Sequence, residues 1–96
     1  NNMKKIDFGK MKIYSGIAKR TCVVKDMRED FADVLCSKAA GVAALVLAQK
    51  IYKSDEDTEY DDREVELMKA VAMTCTPDFM ISFFTAIGEE LNLDNI

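Results

Sequence analysis

Histidine is absent from all 96 residues of this chain. With it go the commonest general base near neutral pH, the Ser-His and Cys-His nucleophile pairs, and most zinc and iron sites. Tryptophan is absent as well, and proline occurs once, at Pro77. The four glycines stand singly, so there is no glycine-rich loop to cradle a phosphate. So little Gly and Pro also argues against a disordered chain and against a loop-rich β architecture. Cys22, Cys36 and Cys75 are an odd, widely spaced set without a Cys-x-x-Cys pair. That pattern is expected of reduced thiols in a cytoplasm, acting as small core hydrophobes and not as a disulfide framework. No catalytic residue, cofactor or metal is expected, and the chain reads as a non-enzyme.

What is present is a 49% hydrophobic, 31% charged sequence, material for one core and one domain over 1–96. Asn1-Asn2 precede Met3, which is the expected natural start, and no apolar leader segment follows it. The net charge of −4 is unevenly divided. Residues 1–25 carry seven bases against Asp7, for +6, and the remainder carries six bases and sixteen acids, for −10. A basic end and an acidic body constrain what each can meet.

The longest uncharged apolar run is Ala39 to Ala48, ten residues bracketed by Lys38 and Lys50. On a helix of about 3.6 residues per turn those side chains cover every face, so protein, partner helices or lipid must surround them. Ten residues fall well short of the ~20 that span a bilayer, which sets a membrane aside. The run is expected to be a buried central helix. Its Ala40, Ala44 and Ala48 would form a ridge open to close approach by another backbone.

Around that run the chain reads as a helix-dominated α+β fold: an N-terminal β-hairpin, then three or four packed helices. Lys10-Met11-Lys12-Ile13 alternates polar and apolar, Ser15-Gly16 supplies turn chemistry, and Arg20 to Val24 is β-branched, which places the hairpin at about 10–25. Asp26 with Glu29 three residues later reads as a capping box opening a helix over about 27–53. Gly41 allows that segment to be one helix or two, and its length favours a break near 41. Ser54 to Tyr60 reads as a solvated acidic connection. Asp61 with Glu64 forms a second capping box, starting a helix at 61–75 with Val65, Met68, Val71, Ala72 and Cys75 on one stripe. Thr76-Pro77-Asp78 supplies a cap, a Pro at N1 and an acid at N2 for a last helix at 77–91 that frays from Gly88.

Lys4-Lys5-Ile6-Asp7-Phe8, Phe31-Ala32-Asp33-Val34-Leu35 and Leu47-Ala48-Gln49-Lys50-Ile51-Tyr52-Lys53 follow one another in a layout over residues 4–87. That layout resembles small uncharacterised proteins encoded by bacterial prophages and mobile elements. The resemblance implies a setting and carries no activity.

Three constellations bear on function. Asp55, Asp57, Glu59, Asp61 and Glu66 fall at positions 1, 3, 5, 7 and 12 of a calcium-loop spacing. Tyr60 stands where the sharp turn needs Gly, and Asp62 where an apolar residue pairs such loops, so a capping linker is the better reading. Lys10, Lys12, Lys19 and Arg20 would make the hairpin a positive ribbon, with Tyr14 available for stacking on nucleic acid. Phe79, Met80, Phe83 and Phe84 widen the last helix's apolar stripe beyond one face. Either the stripe packs on two neighbours of its own chain, or it meets a partner. The expectation taken forward is a protein–protein interaction or assembly role. Phe79, Met80, Phe83 and Phe84 would bind a second copy (a homo-oligomer) or another protein, with the hairpin bases as guide. A nucleic-acid-associated regulator is the alternative. No membrane and no small-molecule substrate is indicated.

Overall fold

The computed structural model describes residues 2–94. Asn1, Asn95 and Ile96, which the single-domain expectation includes, lie outside the described residues. Strand β1 (Lys4–Lys5) leads through a 3-10 turn at Phe8–Lys10 into β2 (Met11–Ser15) and β3 (Thr21–Lys25). Helices α1 (Arg28–Lys38) and α2 (Val42–Tyr52) follow, then β4 (Glu59–Tyr60), α3 (Asp62–Ala72) and α4 (Pro77–Ile87). The fold is helix-dominated α+β, with the N-terminal hairpin ahead of packed helices.

The hairpin pairs Met11 with Lys25, Ile13 with Val23 and Ser15 with Thr21. Only β2 sends side chains into the core: Met11 is buried, Ile13 is packed on the core, and every residue of β3 is exposed. Along the other edge of β2, the Tyr14 N–H donates to Ser82 Oγ at 2.8 Å and the Gly16 N–H to Asp78 Oδ1 at 3.0 Å. Side chains of α4 thus stand in for a third strand.

Each helix boundary has a local cause. The Asp26 carboxylate accepts from the Arg28 N–H at 3.1 Å, one position earlier than a capping box requires, and Glu29 makes no reciprocal bond. The Arg28 guanidinium takes up the same carboxylate, at 3.0 Å from Nε and 2.7 Å from Nη2, so Asp26 does not reach the Glu29 N–H and Met27 becomes the half-helical residue, its own N–H bonded to the Phe8 carbonyl at 2.7 Å. Gly41 breaks the apolar run. Its φ of +90° is a conformation that L side chains rarely adopt, and two helices result. Asp61 and Glu64 form the expected capping box, each backbone N–H bonded by the other's side chain at 2.9 Å. Helix α3 ends at Ala72, short of the expected 75, because the Thr74 and Cys75 N–H groups turn back to the Val71 and Ala72 carbonyls. The Thr76 hydroxyl accepts from the Phe79 N–H and Pro77 sits at N1, as read from the sequence. Gly88, left-handed at φ +71°, closes α4 before the expected frayed turn.

The core is a stack of rings. Phe31 on α1 lies 5.3 Å from Phe8, 5.4 Å from Phe79 and 5.8 Å from Phe83, centroid to centroid. Leu35, Leu47, Ile51, Val65, Met68 and Val71 close around them. The acidic connection is not simply solvated. Its end, β4, pairs with β1, with Lys4 opposite Tyr60 and Lys5 opposite Glu59, and carries Tyr60 into the core.

Candidate functional site

The expected contact helix is core. Phe79, Phe83 and Phe84 are 7%, 0% and 6% exposed, and Met80 is half-buried. One side of the widened stripe packs on Phe31 and the other receives β2, so two neighbours within the chain consume it. Most of the aromatic stripe is therefore spent inside the fold, contrary to expectation, and of the expected contact residues Phe79 also borders an open apolar cleft.

Lys10, Lys12, Lys19 and Arg20 are all exposed. They do not form one cluster. Lys10 and Lys12 sit at the base of the hairpin and Lys19 and Arg20 at its tip, separated by the length of β2, ~16 Å at the rise of a strand. The Lys19 ammonium stands 5.3 Å above the Tyr14 ring and donates to Thr85 Oγ1, so one face of that ring is already covered. From Phe8 to Lys25 the chain carries five bases and no acid. The two poles also meet within the chain: Lys5 pairs with Asp57 at 3.7 Å, and Lys4 with Glu89 at 3.5 Å.

The other expected chemistry is dispersed or quenched. Cys22 and Cys36 are exposed, so neither is the core hydrophobe expected, whereas Cys75 is half-buried and packs against the core. Burial pushes the Cys75 thiol above its ordinary range, which keeps it protonated where it lines an apolar cleft of about 290 Å3 with Met27, Phe31, Val34 and Phe79. In the acidic connection, Asp55 Oδ1 accepts from the Asp57 N–H and the Thr58 hydroxyl, which ties it to a turn and holds its carboxyl low. Among the described residues no group of three or more Cys, Asp or Glu could hold a metal ion.

The largest departure from expectation is α2. The break at Gly41 moves Ala40 outside the helix and leaves it exposed, so the expected three-residue ridge does not form. Ala44, Leu47, Ala48 and Ile51 bury one side against α1. The other side carries Val42 at 77% exposure, Leu45 at 59%, Val46 at 56% and Tyr52 at 56%. A helix expected to be surrounded is surrounded on half its circumference. The signal was present in the sequence, in the absence of any charge from Ala39 to Gln49, but composition alone does not say which side a neighbour takes. No protein-family model, curated protein or solved structure matches this chain.

Proposed function

We propose that the chain is a non-enzymatic interaction or assembly protein whose contact face is the outer side of α2. The observation that carries this reading is the contiguous exposure of Val42, Leu45, Val46 and Tyr52 on one short helix. Keeping that apolar area in water is unfavourable by roughly 25 cal/mol per Å2, and covering it with another protein recovers the loss. The layout-level resemblance to prophage and mobile-element proteins supplies a setting in which small assembly proteins act, and neighbouring capsid or tail genes would support it. A photo-crosslinking residue at Val46, activated in cells expressing the chain, tests the reading. A discrete protein adduct is expected from position 46 and not from exposed Glu66 on α3. Adducts from neither position would contradict it.

A second reading rests on the five bases and no acid between Phe8 and Lys25. It makes the hairpin a non-specific contact to nucleic acid, governed by charge and steeply weakened by salt. The split of those bases between base and tip gives it less support. Retention on a DNA or RNA column that Lys10, Lys12, Lys19 and Arg20 changed together to Glu abolishes would favour it, and no retention at low salt would remove it.

A further inference from the structure

We infer that the open edge of strand β3 is a docking site for an acidic, extended segment of another protein, added to the hairpin as a third strand. This surface is distinct from α2 and does not depend on the reading of that helix.

The two edges of the hairpin are treated differently. Its sheet has two strands. The outer edge of β2 is covered by α4, whose Ser82 and Asp78 side chains take the Tyr14 and Gly16 N–H groups. In an antiparallel pair, residues alternate between bonding the facing strand and pointing away from it. Tyr14 points away from β3, so Cys22 opposite it points away from β2, and Val24, two residues on, does the same. The N–H and C=O groups of Cys22 and Val24 therefore line an edge that no hydrogen bond covers among the described residues. Thr21 to Val24 carries no charge and no proline and runs in unbroken one-to-one register, so none of the usual devices closes this edge. Val23 and Val24, on opposite faces, are 57% and 60% exposed, and an added strand would find an apolar neighbour on each side.

Charge selects the occupant. Lys10, Lys12, Lys19, Arg20 and Lys25 are exposed, and none is in an ion pair among the described residues, whereas Lys4, Lys5, Arg28, Lys50 and Lys69 all are. Arg20 and Lys25 bracket the open groups, ~17 Å apart at the rise of a strand. Asp26, which follows, is already bound by Arg28 at 2.7 Å. The same hairpin from a second copy would set the five bases against themselves. Phosphate would answer the charge but leave the Cys22 and Val24 backbone groups and both valines unmatched. A strand with an uncharged, β-branched centre and acids at its ends matches all three, its main chain supplying the pairing and its charge the selection.

Titration of the 15N-labelled full chain with a blocked seven-residue peptide, Val-Thr-Val at its centre and two glutamates at each end, tests the inference. Saturable amide shifts are expected along β3. Hydrogen exchange at Cys22 and Val24 should slow by about tenfold when free peptide is ten times the Kd. The Val23 N–H, already paired across to Ile13, should change far less. Methylating the three central amide nitrogens of the peptide should abolish binding, since it removes the main-chain donors and leaves the charge. Exchanging the glutamates for lysines should weaken binding by about tenfold or more. Val24→Pro takes away an outward N–H and no internal bond, so the hairpin should persist while binding falls by about tenfold or more. The methylated peptide leaves the protein untouched, so the outcome does not depend on how Val24→Pro folds. Val46→Glu on α2 should bind as the parent chain does. No shift at millimolar peptide overturns the inference, as does undiminished binding by the methylated or the lysine peptide. Shifts along the hairpin with single-stranded oligothymidylate and none with the peptide overturn it in favour of nucleic acid.

Discussion

The Tyr14 N–H and Ser82 Oγ, 68 positions apart, meet at 2.8 Å, and the same hydroxyl donates to the Asp78 carbonyl at 2.7 Å. Ser82 is 1% exposed, so one buried side chain joins strand β2 to helix α4. Ser82→Ala leaves the Tyr14 N–H without a partner. We expect it to lower stability by about 1–3 kcal/mol. Ser82→Thr, which keeps the hydroxyl, should cost less. Urea unfolding of both variants checks this, and equal losses would contradict the hydrogen-bond account.

At Gly41, an added Cβ would meet nothing within 4 Å, so only the backbone at φ +90° resists a side chain. Gly41→Ala is expected to cost about 1–2 kcal/mol, with no loss of packing. Urea unfolding at matched protein concentration provides the measurement. An unchanged midpoint would mean that the break between α1 and α2 is not held by this residue.

Local rules wrote most of this fold into the sequence. Asp61 with Glu64 and Thr76 with Pro77 each act within one turn, and both caps form where they were read. The hairpin and the break at Gly41 were legible for the same reason. Long-range pairing was not. The Phe8 carbonyl ties down the Met27 N–H from nineteen positions away, an anchor that no local pattern announces. Residues Lys4–Lys5 recruit Glu59–Tyr60 into a strand from a segment that composition marks as solvated. Which apolar helix face is covered was not legible either, because the sequence shows how apolar a helix is, and not which neighbour covers it. Phe83 and Val46 are both apolar helix residues, yet one is fully buried and the other is more than half exposed.

The Tyr60 hydroxyl is buried and without a hydrogen-bond partner among the described residues, and burial pushes its pKa upward. Its ring, by contrast, is well used, 5.9 Å from Phe8 and 4.7 Å below the Lys50 ammonium. Tyr60→Phe keeps both ring contacts and removes the unpaired group. Stability is expected to stay level or rise by about 1 kcal/mol. A loss of that size in urea unfolding would show that the hydroxyl is bonded in solution.

Asp26 titrates low, at about 2, because the Arg28 side chain and then its N–H hydrogen-bond the carboxylate. A depressed folded-state pKa contributes stability above the ordinary value of 3.8 and loses it as pH falls toward 2. Arg28→Met should therefore raise the Asp26 midpoint most of the way to its ordinary range, the N–H bond holding back the rest. Asp26→Asn should flatten that part of the acid limb. Carboxyl-carbon NMR titration reads the midpoint directly, and one that stays near 2 in Arg28→Met would assign the shift elsewhere.

Photo-crosslinking from Val46 in cells expressing the chain tests the central claim most directly, because it captures only what is seated on the outer face of α2. The account predicts a discrete protein adduct from position 46 and none from exposed Glu66 on α3. Adducts from neither position, or equal adducts from both, would contradict it.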